Sequence, residues 1–401
     1  MNKKALLLLF SVVFMDMVGF GFIIPLLPDY IRMFGGHEGL VGFLMSAYAA
    51  GQFFAAPVVG RLSDRYGRKP LLLFSIGGTM LALLLLGFAQ SLLVLFASRI
   101  VDGLTGGNVT VAQSYIADVT DEENRARGLG FIGAAFGLGF IFGPVFGGLL
   151  VSFGLQVPAF AAAGIAALNL LLIAFVLPES LTAAQKKEGI SRPRRAFSLR
   201  PLMEALGKHK LGSVLHVMLF YTFAFYMFEN LFSVFARQQL GLSAQSRSFL
   251  LAYVGVLVAL VQGGGIGILT KRFKETTLSA VAAAVLSVSL ILWAFTPDLL
   301  YLVVVLIPLS ISAGVLATVL RSLLSKSVPR EETGGTMGIS TSLESFNRIV
   351  APAIGGVLFG TVGSWAPGAL GGVFLAWVAI FVWRRMGHTN MFAGAKRAEA
   401  T

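Results

Sequence analysis

The chain has 401 residues, of which 56% are hydrophobic and only 12% charged, with 31 Lys and Arg against 19 Asp and Glu. Soluble domains carry about twice that share of charge, so a soluble globular protein is excluded, and the lack of any cysteine excludes disulfides. The net charge of +12 calls for no nucleic-acid partner, because membrane proteins gather Lys and Arg in their cytoplasmic loops.

The apolar residues fall in blocks of roughly 20, the length that crosses about 30 Å of hydrocarbon. Backbone groups in lipid must be satisfied within their own segment, so these blocks predict helices. The first stretch, "MNKKALLLLFSVVFMDMVGF", starts like a secretory signal. No small-residue cleavage site follows it, and its apolar run passes Asp16 to reach about Leu27, which predicts a retained first span. Twelve spans follow in order, at about 4–27, 39–59, 70–89, 92–115, 128–152, 157–177, 211–235, 246–269, 276–296, 299–321, 336–360 and 365–384.

The longest polar stretch, 178–210, divides them six and six. The expected domains are a first six-helix bundle over 1–178, a linker over 179–210, and a second bundle with a short tail over 211–401. With the N-terminus inside, the inner loops and tails hold 26 of the 31 cations; Arg32, Arg237 and Arg247 lie outside, and Arg99 and Arg348 lie within spans. That asymmetry places both termini in the cytoplasm. The basic linker, with Pro193 and Pro201, is expected to hold a short helix lying on anionic lipid.

The halves repeat. "GPVFGGLL" (143–150) matches "APAIGGVL" (351–358) at an offset of 208, and "GRLSDRY" (60–66) matches "GILTKRF" (267–273) at 207. Two matches at nearly one offset in a chain that splits six and six indicate duplication, hence an all-α membrane protein of two pseudo-symmetric bundles. A site near the bilayer midplane, between the halves, is expected of such repeats.

Several polar residues stand where lipid is expected. Asp16 lies about twelve residues into span 1, roughly 18 Å of rise, and a carboxylate at that depth is costly and marks function; the competing reading is a polar group satisfied between helices. Arg99 and Asp102, in "RIVDGLTGGN", are three apart and share a helix face. In "FGLGFIFGPVFGG", Gly137, Gly139, Gly143, Gly147 and Gly148 make a smooth face for close packing, and Pro144 bends the helix. Glu229 sits in an aromatic stretch with Phe220, Tyr221, Phe223, Phe225, Tyr226 and Phe228, which suits a lipophilic cation; an aromatic packing surface is the alternative. Glu344 and Arg348 are four apart in span 11 and can pair, and together with Asn347 they are candidates to line the cavity; a structural pair is the alternative. Gln113, Asn169 and Gln262 are lesser cavity candidates.

Between spans 2 and 3 stands "GRLSDRYGRKP" (60–70), with four cations and one Asp. Gly60 and Gly67 permit a sharp turn, Pro70 suits the first position of span 3, and Asp64 can accept from Arg65 or Arg68. Positive-inside topology alone explains the cations but neither the Asp nor the Gly spacing.

This loop resembles the signature loop of the major facilitator superfamily at essentially every defining position. The resemblance implies a transporter in which the loop latches the outward-open state, with Asp118 as the partner acid at the inner end of span 4. "FGLGFIFGPVFGG" resembles the antiporter motif of the twelve-span drug:proton branch, which includes the tetracycline exporters. "DMVGFGFIIPLLP" (16–28) and "RIVDGLTGGN" resemble that branch's first-span and fourth-span motifs. They imply that Asp16, Arg99 and Asp102 couple to protons. The second-half copy of the loop has Lys271 where Asp64 stands, and the latch is degenerate there. Tetracycline exporters also carry acids in the third and ninth spans. Here the first place is Ala82 and the second span, 276–296, has neither Asp nor Glu, which argues against tetracycline as the substrate.

The expected protein is a multi-pass transporter of a bacterial inner membrane, a monomer exporting hydrophobic or amphipathic small molecules against protons. A symporter or uniporter for a metabolite is the alternative. A non-transporting scaffold has no need of the loop or the buried acids. His37, His209, His216 and His388 make no metal-ligand spacing, no phosphate-cradling glycine loop is present, and no catalytic set is found. No cofactor, metal or enzymatic activity is expected.

Overall fold

A computed structural model describes residues 3–182, 185, 200–329 and 332–387. The linker cations of 186–199, Arg330, and the tail from His388 lie outside the described residues. Among those described, the secondary structure is helical, with no strands. Eleven helical segments are long and apolar enough to cross a membrane. The region expected as span 11 is also a helix, Thr333–Thr361, but Glu344, Asn347, Arg348 and its Ser and Thr residues make it more polar than the others.

The helices of the first half are α1 (Lys3–Ile23), α2 (Leu27–Met33), α3 (Leu40–Tyr66), α4 (Arg68–Gly87), α5 (Leu92–Thr105), α6 (Asn108–Val119), α7 (Glu122–Leu150) and α8 (Val157–Val176). A short helix, α9 (Arg200–Gly207), lies in the linker region. The second half holds α10 (His209–Leu240), α11 (Ala244–Leu260), α12 (Ile266–Arg272), α13 (Glu275–Ala294), α14 (Leu299–Ser325), α15 (Thr333–Thr361) and α16 (Ala366–Phe381).

Three expected spans are interrupted, each at a residue that explains the break. Span 1 passes through a 3-10 turn at Ile24–Leu26, where Pro25 removes a backbone donor. Span 4 stops at Thr105 and restarts at Asn108, because Gly106 leaves the helical region with φ −72° and ψ 69°. Span 8 carries a π-helical turn at Val261–Gly265, where three consecutive glycines weaken the helix.

The chain divides into two compact units. The first holds residues 1–195 and 241–253, the second 196–240 and 254–401. Within the first, α1 packs on α7 and α8, α4 on α5 and α8, and α3 on α5. Within the second, α10 packs on α15 and α16, and α13 on α14 and α16. Counting spans, the pairs 1–5, 1–6, 3–4 and 3–6 recur as 7–11, 7–12, 9–10 and 9–12, which is the packing that a six-span duplication produces.

The division departs from a simple cut at the linker, since residues 241–253 belong with the first unit. Arg247 of α11 is fully buried and its guanidinium meets the Asp29 carboxylate of α2. A Cβ placed at Gly148 would lie 2.8 Å from Cβ of Ser248. A buried cation is strongly disfavoured without an opposite charge, and Asp29 supplies it.

Candidate functional site

The first cluster surrounds Asp16, the fourteenth residue of α1. Gly139, Gly143 and Gly147 recur every four residues on one face of α7 and meet α1. A Cβ at Gly139 would lie 2.4 Å from Cβ of Met17, one at Gly143 2.8 Å from Cα of Gly21, and one at Gly147 2.8 Å from Cα of Phe22. These are near-backbone contacts, so the three glycines set the distance of α7 from the helix that carries Asp16. Gly137 meets nothing within 4 Å, and Gly148 faces the 241–253 segment. Pro144 lies inside α7 beside Gly21.

On the other side, Gly103 brings α5 against α3. A Cβ there would lie 2.3 Å from the carbonyl oxygen of Tyr48. One helical turn earlier, Arg99 Nη1 forms an ion pair with Asp102 Oδ2 at 3.2 Å, with both side chains buried. Thr79 of α4 also faces Asp102. Arg99 Nε and Nη2 are buried with no hydrogen-bond partner among the described residues.

The break in span 4 completes the cluster. Ser75 of α4 donates to the Thr105 carbonyl and accepts from the Gly107 N–H at 3.1 Å. Irregular backbone at membrane depth needs such partners. Asn108, at the first position of α6, then faces Asp16. Asp16, Tyr48, Thr79, Arg99, Asp102 and Asn108 line one cavity that offers about 20 Å³ to water centres, room for about one or two waters. Asn169 also reaches this wall, but its amide donates to the Val12 carbonyl at 3.0 Å and ties α8 to α1.

The second cluster is the loop between α3 and α4. Gly67 has φ 110° and ends α3 while starting α4; that conformation favours glycine. Helix α4 therefore starts at Arg68, two residues before Pro70. Gly60 makes no turn, since α3 runs unbroken through it to Tyr66, and its carbonyl accepts from Ser63 Oγ at 2.7 Å. Arg68 is the centre. Its Nη1 reaches Asp64 Oδ1 at 2.6 Å and Ser63 Oγ at 2.7 Å, and its Nε reaches Asp118 Oδ2 at 2.9 Å. Arg65 takes no part and lies over the Tyr66 ring at 5.1 Å. Glu179, which the sequence did not single out, accepts from the Arg68 backbone N–H at 2.9 Å, and Ser180 donates to Asp118 at 2.9 Å. The only sequence sign of this tie was an acid placed directly after span 6.

The second unit holds a third cluster on α10, α14 and α15. The expected Glu344–Arg348 pair does not form. Glu344 turns to Arg321 of α14 at 3.6 Å, while the Arg348 guanidinium lies over the Tyr226 ring at 5.2 Å and faces Glu229. Asn347, expected at a cavity, is buried; its amide donates to the Leu219 carbonyl at 2.7 Å and Thr222 Oγ1 at 2.6 Å, which fastens α15 to α10. Gln262 lies exposed in the π-helical turn, and Gln113 is exposed on α6. Neither joins a cluster.

Apolar spanning helices that hold a buried carboxylate and guanidinium around a cavity carry the mark of a functional pathway within a membrane. The Major Facilitator Superfamily matches residues 9–352, and the chain belongs to that family. It is 34% identical over 359 residues to the tetracycline resistance protein, class C, of Escherichia coli, covering 88% of this chain and 89% of that protein. It is 25% identical over 364 residues to multidrug resistance protein 2 of Bacillus subtilis, covering 89% of each. Its fold is similar to that of a bacterial homologue of the human lysosomal transporter Spinster, with a TM-score of 0.77 at 16% identity over 96% of this chain and 97% of that one. The chain is thus a multi-pass transporter with efflux proteins among its relatives, and not an enzyme.

Proposed function

We propose that this chain is a proton-coupled exporter of hydrophobic or amphipathic small molecules in a bacterial inner membrane. It has twelve spans, with Thr333–Thr361 as the eleventh, and both termini cytoplasmic. It works as a monomer by alternating access. One observation carries the reading: Asp16 stands within a spanning helix, faces Asn108, and lines a cavity fit for water beside the Arg99–Asp102 pair. A carboxyl there takes a proton from water on one side and yields it on the other as the bundle rearranges. Arg99, held by Asp102, sets the local field against which that proton is exchanged.

Arg68, joined to Asp64 and Asp118, is the inner latch that holds α3, α4 and α6 in one arrangement. The names of the relatives make tetracyclines the first compounds to try. Ala82 and the lack of any Asp or Glu over 276–296 imply that any such substrate is held by other groups.

The test uses proteoliposomes with a pH-sensitive dye inside, an imposed proton gradient, and lipophilic cations, anions and neutral compounds added in turn. At least one compound is expected to collapse the gradient through the native protein and not through Asp16→Asn. Normal proton-driven export by folded Asp16→Asn would overturn the assignment.

A further inference from the structure

Arg348 is the sixteenth of the 29 residues of α15, near its middle, and it is exposed. A guanidinium at mid-membrane depth does not face hydrocarbon; it faces protein or a water-filled space. The exposed side of Arg348 therefore marks a water-accessible surface of the second unit.

The charges around it are presented unequally. Glu229 faces Arg348 and is half-buried. The Glu344 side chain is 18% exposed and is turned to Arg321, whose own side chain is 63% exposed. The cluster holds two cations and two anions, and the cations are the more exposed groups. Tyr226 supports one face of the Arg348 guanidinium, and Phe225 continues the aromatic wall, its ring centroid 6.4 Å from that of Tyr226. Arginine offers five donors in a planar fork that matches a carboxylate.

We propose that Arg348, backed by Tyr226, is a subsite for the anionic group of an amphipathic solute whose aromatic body lies along Phe225 and Tyr226. This rests on the transporter reading above and names its substrate class. It replaces the lipophilic cation that Glu229 among aromatics had suggested, because the more exposed charge of the two is the Arg348 guanidinium.

The experiment is equilibrium binding to the purified full-length protein in nanodiscs, with no gradient, read by isothermal titration calorimetry. Three probes share one ring system: naphthylacetate, naphthylmethanol and naphthylmethylammonium. The anion is expected to bind about tenfold tighter than the alcohol, and the ammonium weakest. Arg348→Gln is expected to remove the advantage of the anion over the alcohol, Arg348→Lys to keep part of it, and Glu229→Gln to strengthen anion binding. If the ammonium binds tightest, if the anion gains nothing over the alcohol, or if no probe binds up to its solubility limit, the subsite is wrong. The ranking on the native protein decides this even if the Arg348 variants fail to fold. Because no gradient is used, a lost ranking leaves proton-coupled export standing, and failed export with the ranking intact does the reverse.

Discussion

Removing the Arg68 side chain tests the inner latch, and its cost can be worked from the geometry. Arg68 is buried, and its charge is shared between Asp64 at 2.6 Å and Asp118 at 2.9 Å. A hydrogen bond to a charged group contributes about 1.5–3 kcal/mol, but a solvated carboxylate loses little when its partner leaves. The Asp64 side chain is 42% exposed and that of Asp118 only 18%. The coupling should therefore be lopsided, about 2 kcal/mol between Arg68 and Asp118 and below about 1 kcal/mol between Arg68 and Asp64.

The assay is a pair of double-mutant cycles with Arg68→Met, Asp118→Leu and Asp64→Leu. Unfolding in mixed micelles would be followed by a fluorophore on one introduced cysteine, which the cysteine-free chain accepts without competing sites. All four native tryptophans lie in the second unit and would not report on this loop. A coupling at Asp118 no larger than that at Asp64 would refute the reasoning, since burial would then not govern the strength of the latch.

Three further outcomes follow from packing. Gly143→Val should destabilise the protein by about 1–3 kcal/mol, because the new Cβ would press on the Gly21 backbone at 2.8 Å; thermal stability in detergent measures this, and an unchanged midpoint would contradict the α1–α7 contact. Gly137→Ala, two residues before that face begins, should cost nothing, as it meets no atom within 4 Å. Asn347→Ala should cost about 1–3 kcal/mol through the Leu219 carbonyl and Thr222 hydroxyl left behind while leaving the preference among exported compounds unchanged; an altered preference would return Asn347 to the cavity wall.

Much of this protein was written in local order. Blocks of about 20 apolar residues can only become helices in lipid, so eleven of the spans were legible, and the place of Asp16 along its helix follows from counting. "GRLSDRYGRKP" announced its loop because Gly67 and the charges around it are neighbours in the chain. Partners distant in sequence were not legible. Glu344 and Arg348 share a helix face at four residues, yet tertiary packing brought Arg321 to one and Tyr226 and Glu229 to the other. Asp29 and Arg247 are 218 residues apart, and no periodicity links them. Asn108 reached Asp16 only because Ser75, from a third helix, satisfied the break at Gly106–Gly107. Helix formation is settled by groups a few residues apart, which the sequence displays; the pairing of buried charges is settled by which helices pack together, and that is decided only when the whole bundle closes.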